Sequence, residues 1–146
     1  ESNNVADGKI SGIGKGGLPS LENRRILIVD DDPRNLFVIT SALEQAGAHV
    51  ETALNGIKAL EYLNNKPDID IIFMDIMMPG MDGYEAIGKI KNNPSLKHIP
   101  VIALTAKALR SDKDKVLSVG ADDYLSKPVD YEVLINMASV WCETKL

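Results

Sequence analysis

The strongest constraint on the fold is a regular alternation that begins at Arg24 and continues nearly to the end of the chain. Five short runs, "RILIV" (25 to 29), "HVETA" (49 to 53), "DIIFM" (70 to 74), "VIAL" (101 to 104) and "DYLS" (123 to 126), have strand length and β-branched or aromatic content. Between and after them, apolar residues recur at helical spacing: Leu36, Ile39, Leu43 and Ala46; Ile57, Leu60 and Leu63; Tyr84, Ile87 and Ile90; Leu109, Val116 and Val119; Val133, Leu134, Met137 and Val140. Gly47 and Gly120 stand where the first and fourth helices should stop, and Pro33 stands where the first should start. Strict β-α alternation implies parallel strands joined by right-handed crossovers with helices on both faces. The expected fold is therefore α/β: a doubly wound, five-stranded parallel sheet with five helices in a three-layer sandwich, in which three of the strands can read as continuous apolar runs.

Residues 1 to 23 hold five of the eleven glycines and lack apolar periodicity, which reads as a flexible linker. The domain is expected over 24 to 143, with a short tail at 144 to 146. Gly12, Gly14 and Gly17 spell G-x-G-x-x-G, but no apolar strand precedes them, so dinucleotide binding is set aside. No apolar stretch reaches the ~20 residues of a bilayer span, and no basic-then-apolar leader opens the chain, so the expectation is a cytoplasmic domain without membrane contact. The net charge of -5, with no basic stripe, argues against direct nucleic-acid binding. The single cysteine, Cys142, reads as helix packing, and His49 and His98, lacking ligand-spaced neighbours, read as surface or edge positions.

Parallel strands all point their C-terminal ends to one edge, where ligands of such folds gather. The first strand ends in Asp30, Asp31 and Asp32, the third runs into Asp75, the fourth into Thr105 and the fifth into Lys127. If the first and third strands are neighbours, at about 4.8 Å, Asp30, Asp31 and Asp75 repel one another. One lysine does not balance three carboxylates, and the remainder suits a hard divalent cation with oxygen ligands, Mg²⁺ above all, with Mn²⁺ as a substitute. With Thr105 and Lys127 alongside, the group is suited to stabilising a phosphoryl group in transfer, Asp75 being placed to attack phosphorus and Asp30 and Asp31 to hold the metal.

Each residue also has a plainer reading. Asp32 before Pro33 is the natural N-cap of the first helix, and Thr105 could cap the fourth. Asp75 could be an ordinary strand exit and Lys127 a solvated lysine. Their coincidence at four strand ends favours a site.

The motifs "ILIVDDD", "IIFMDIMMPGMDGYEAI", "VIALTA" and "GADDYLSKPV" resemble, in order and spacing, the receiver domains of two-component response regulators of the CheY-like kind. The resemblance implies strand order 2-1-3-4-5, which the residues alone do not fix. It implies that Asp75 takes a phosphoryl group from a phosphohistidine on a histidine kinase or histidine phosphotransfer protein. It further implies Mg²⁺ held by Asp31 directly, Asp30 through water, Asp75 and the Met77 carbonyl; Lys127 paired with a phosphoryl oxygen; Thr105 and Tyr124 moving as a switch that alters the surface of helix 4, strand 5 and helix 5; and a cis Lys127 to Pro128 peptide. Such a domain catalyses its own phosphorylation and dephosphorylation. Met77 and Lys107 flank the site, where they could gate water.

The glycine-rich lead-in, with "DIMMPGMDGYEAI" and "YLSKPVD", looks like the receivers that end hybrid sensor histidine kinases, so the expected parent is such a kinase in a phosphorelay. A freestanding regulator and a docking module that no longer takes phosphate are the alternatives, with a weak homodimer left open. A phosphatase acting on external substrates would need a second acid two residues after the nucleophile, where Met77 stands.

Overall fold

The computed structural model describes residues 19–65, 68–78, 80–106 and 110–143, the last stretch by backbone alone through residue 112. Gly12, Gly14, Gly17, Lys107, Leu109 and the tail at 144–146 lie outside them. The elements are β1 (Arg25–Val29), α1 (Pro33–Gln45), β2 (His49–Ala53), α2 (Gly56–Asn65), β3 (Ile71–Asp75), α3 (Gly83–Lys91), β4 (Val101–Thr105), α4 (Arg110–Ser118), β5 (Asp123–Ser126) and α5 (Tyr131–Glu143). All strand pairs are parallel, in the order β2-β1-β3-β4-β5. The doubly wound sheet, its five helices and its strand order match the expectation. The third and fourth strands each end one residue later than their apolar runs suggest, so that Asp75 and Thr105 close β3 and β4.

The pleat sorts side chains into two cores. Ile26, Ile28, Ile71, Phe73, Ile102 and Leu104 pack with Leu36, Ile39 and Leu43 of α1 and Leu134, Ile135 and Ala138 of α5. Leu27, Val29, Ile72, Met74, Val101 and Ala103 pack with Ala59 and Leu63 of α2, Ala86, Ile87 and Ile90 of α3 and Val116 of α4. Central strands are apolar at nearly every position because both faces are covered, while β2 at the edge carries exposed His49, Glu51 and Thr52. Phe73 is fully buried, an enclosure that contributes about 2–3 kcal/mol relative to solvent exposure.

Three helix positions expected on apolar faces are exposed: Ile57, Val133 and Val140. In α2 the buried residues are Gly56, Ala59 and Leu63, because helix and neighbour approach through small residues; a Cβ at Gly56 would lie 3.2 Å from that of Ala86 on α3. In α5 the buried line is Leu134, Ala138 and Cys142 with Ile135 beside it, so of the expected Val133, Leu134, Met137 and Val140 it keeps Leu134 and turns Val133 and Val140 outward. Cys142 packs as expected, in a helix that also takes in Trp141, and His49 and His98 are exposed.

Asp32 caps α1, its carboxylate accepting from the Arg34 N–H, and Pro33 opens the helix. Gly47 and Gly120 have φ of 103° and 113°, a region open to glycine after a helix end. Leu21 is fully buried in the α1–α5 core and its N–H donates to the Ala46 carbonyl at 2.7 Å. The packed unit thus starts ahead of Arg24, and the segment expected as linker contributes a core residue.

Candidate functional site

The register of β1 against β3 sets Val29 beside Met74, so the next residues, Asp30 and Asp75, leave the sheet as neighbours. This is the place where strand order reverses, β1 leading outward to β2 and β3 to β4 and β5. Asp30 continues the alternation of Ile26 and Ile28, and Asp75 that of Ile71 and Phe73, so both belong to the α1–α5 side of the sheet. Asp30 is wholly buried and Asp75 is 3% exposed. Asp31 is exposed. One carboxylate oxygen from each of the three lies within 4.8 Å of the others.

Lys127 enters from the end of β5. Its backbone N–H donates to the Thr105 carbonyl at 2.7 Å, which fixes the exit of β5 against that of β4. Its ammonium lies 3.2 Å from Oδ2 of Asp30 and 3.2 Å from Oδ1 of Asp75. Burial pushes the Asp75 carboxyl up, Lys127 pulls it back and Asp30 pushes it up again, leaving it at about 6. Burial works against the Lys127 ammonium, but Asp75 and Asp30 outweigh it and its pKa is raised.

The chain after Asp75 turns on that same carboxylate, whose Oδ1 accepts from the Met77 N–H at 3.2 Å, while the Met77 side chain is 70% exposed. The turn leads to Asp82, which caps α3 by accepting from the Glu85 N–H. Gly83 then passes so close to the strand end that a Cβ there would stand 2.6 Å from the Ile76 Cα. Among the described residues, the Met77 N–H and the Lys127 ammonium both meet Oδ1 of Asp75, and Oδ2 receives no hydrogen bond.

Thr105 is buried at the end of β4, its hydroxyl donating to the Leu125 carbonyl over 3.5 Å, a bond at the limit of the useful range. α4 runs Arg110–Ser118, which leaves Thr105 outside the capping role open to it from sequence. Thr105 follows Val101 and Ala103 in the alternation, and Tyr124 pairs with Ala103, so both fall on the α2–α4 side, opposite the carboxylates. Tyr124 is half-buried, with the Lys113 ammonium 5.2 Å from its ring centre. The Lys127–Pro128 peptide is cis.

Two residues of this site escaped sequence reasoning. Asn35, in the first turn of α1, points its amide at Oδ2 of Asp30 from 3.4 Å. Gly83 admits α3 to the back of Asp75. Glycine in "PGMDG" reads from sequence as turn chemistry, and an asparagine in an amphipathic helix as its solvent face, so neither announces a site.

The residue set fits a divalent metal. It offers hard oxygen donors from three carboxylates within 4.8 Å of one another, one of them on an exposed residue.

A protein-family model described as the response regulator receiver domain matches residues 26–139. The chain belongs to the response regulator receiver domain family. As a receiver it is a module of two-component signalling. It is 40% identical over 120 residues to the sensor histidine kinase GacS of Pseudomonas protegens, covering 80% of this chain and 13% of that protein. It is 43% identical over 112 residues to the signal transduction histidine-protein kinase BarA of Escherichia coli, covering 77% of this chain and 12% of that one. Among solved structures, a signal receiver domain of a signal transduction histidine kinase from Syntrophus aciditrophicus superposes with a TM-score of 0.77 at 35% identity, covering 83% of this chain and 91% of that one. This receiver thus spans about an eighth of the length of the curated kinases it resembles.

Proposed function

We propose that this receiver accepts a phosphoryl group on Asp75 from a phosphohistidine of a histidine kinase or histidine phosphotransfer protein, with Mg²⁺ held by Asp30, Asp31, Asp75 and the Met77 carbonyl, Mn²⁺ substituting. The observation that carries the reading is the Lys127 ammonium 3.2 Å from both Asp30 and Asp75, with the Asp31 carboxylate in the same cluster. Asp31, exposed and outside the Lys127 pair, is the carboxylate suited to direct ligation; Asp30, already engaged by Lys127, suits a ligand acting through water. The metal, when bound, neutralises charge on the transferring phosphoryl oxygens.

Oδ2 of Asp75 attacks phosphorus, a P–O bond forms, and the P–N bond to the donor ring breaks with its electron pair left on nitrogen. Lys127 turns part of its charge from Asp75 to the incoming oxygens. The product carries about -1.5 to -2 charges, so it persists only where cations and donors meet it. Thr105, whose hydroxyl is loosely held, exchanges Leu125 for a phosphoryl oxygen, and Tyr124 fills the room it leaves. Val116 is the buried apolar side chain of α4 among the described residues, and Lys113 and Lys115 lie over the rings of Tyr124 and Tyr84. α4, whose Lys113 packs over the ring of the switch residue Tyr124, is a suitable readout, and the switched surface is that of α4, β5 and α5.

The domain occupies 24 to 143 with Leu21 as a core anchor ahead of it, lies in a cytoplasmic region and originates in a hybrid sensor histidine kinase; two long kinases that each match over one short segment support this parentage. Incubation with acetyl phosphate and Mg²⁺, read by intact mass, tests the acceptor. A mass increase of one phosphoryl group that disappears in Asp75→Asn is expected; an increase retained by Asp75→Asn assigns the acceptor elsewhere.

A further inference from the structure

Oδ2 of Asp30 accepts from two donors. The Lys127 ammonium stands at 3.2 Å and the Asn35 amide at 3.4 Å, while the other oxygen accepts from the Asp32 N–H at 2.9 Å. Asp30 has no exposure to solvent. A carboxylate closed to bulk solvent regains a lost donor only from a neighbour or from the metal-bound water, and the cost of leaving Oδ2 short of one resists movement of Lys127 toward a phosphoryl group. Lys127 is itself the only ammonium among the described ion pairs that touches the cluster, so it cannot serve Asp30 and the phosphoryl oxygens equally.

We infer that Asn35 is a positioning residue for phosphoryl binding: it holds Oδ2 of Asp30 when Lys127 turns away, and so releases Lys127 to the phosphoryl group. This rests on the phosphoacceptor reading above. The geometry suits a reserve donor. At 3.4 Å the amide bond is long while the ammonium shares the oxygen, and a few tenths of an ångström bring it to ordinary length once the ammonium departs. The amide is neutral, so unlike a second lysine it adds no charge that would compete with the metal for Asp30. Asn35 sits on the first turn of α1, whose cap at Asp32 and buried Leu36 and Ile39 fix its height above the strand ends. It also lines, with Lys127, Pro128 and Val129, a groove of about 420 Å³ into which the lysine stem can move.

Asn35 then differs from a metal ligand in what its loss should change. Calorimetric titrations with Mg²⁺ alone, and with beryllofluoride in saturating Mg²⁺ as the phosphoryl mimic, separate the two. Asn35→Ala and the similarly sized Asn35→Leu should each weaken beryllofluoride binding about tenfold while changing Mg²⁺ affinity less than about twofold, and both should keep the native melting temperature within a few degrees. Native affinity for beryllofluoride in either variant overturns the inference, as does restoration by leucine, which would make the role one of packing. An equal loss in Mg²⁺ affinity also overturns it, because Asn35 would then serve Asp30 as a ligand. If the native protein itself fails to take up beryllofluoride, the phosphoacceptor reading fails, and this inference with it.

Discussion

The ammonium of Lys127, carried on the end of β5, stands 3.2 Å from Oδ1 of Asp75 at the end of β3. β4 lies between the two strands, so the pair spans two sheet positions and places a fixed cation over the carboxylate that closes the central strand. The same ammonium reaches Asp30 on β1 at 3.2 Å. One lysine therefore ties together the exits of three strands, and its loss has consequences for both stability and chemistry.

In Lys127→Met, two buried carboxylates face each other with no fixed cation. Metal-free protein should lose about 1–3 kcal/mol of stability, less than the full cost of breaking a buried pair because Lys127 is 25% exposed. Saturating Mg²⁺ should restore more stability to the variant than it adds to the native protein, as the metal takes over the missing countercharge. Urea unfolding with EDTA and with Mg²⁺ measures both; a variant insensitive to Mg²⁺ contradicts the shared-charge account.

Asp75 has a defined pH signature in metal-free protein. Its folded carboxyl, pushed to about 6 by burial against the pull of Lys127, lies above its ordinary value of 3.8, so the native state binds this proton more tightly than the unfolded chain does. The stability so gained is complete below pH 3.8 and disappears as pH rises through about 6. Its ionised form at pH 7 therefore costs about 3 kcal/mol. Asp75→Asn, which mimics the protonated group, should be more stable than the native protein at pH 7 in EDTA and should approach it near pH 4. Unfolding curves for the two that stay parallel across this range would show that the carboxyl is not perturbed.

Gly83→Ala should push the start of α3 away from the strand end, since the new methyl would meet the Ile76 backbone at 2.6 Å. A loss of about 1–3 kcal/mol is expected, together with weaker Mg²⁺ binding as the Asp75 turn shifts. Calorimetry and urea unfolding report the two effects, and a native-like variant would mean the approach is not tight.

Leu21→Ala should cost about 2–5 kcal/mol, because the side chain is fully buried in the α1–α5 core. A chain beginning at Arg24 should lose a similar amount in thermal melts. Equal stability of the two lengths would return Leu21 to the linker.

Much of this was legible in the residues, for physical reasons. β1, β3 and β4 are nearly all apolar because both faces are covered, and an acid or hydroxyl at the end of such a run marks where the strand leaves the core. Asp30, Asp75 and Thr105 could be found that way, and parallel alternation put the end of β5, with Lys127, on the same edge. Other features depend on packing that hydropathy does not encode. Gly56, Ala59 and Ala138 bury themselves by letting helices approach, so small residues took positions where larger apolar ones were expected, and Ile57, Val133 and Val140 face outward. Asn35 earns its place through a contact with Asp30 that no spacing rule predicts. Leu21 lies in a glycine-rich segment whose composition hides one anchor.

The central claim is that Asp75, held beside Lys127 and a shared metal, takes a phosphoryl group from histidine. Its most direct test is transfer of radiolabelled phosphoryl from a panel of phosphorylated histidine kinases and phosphotransfer proteins, with Mg²⁺ or with EDTA, to the native protein and to Asp75→Asn. Label should pass to the native protein from at least one donor, only in Mg²⁺, and not to Asp75→Asn. Label reaching Asp75→Asn, or reaching the native protein as readily in EDTA, would contradict the account.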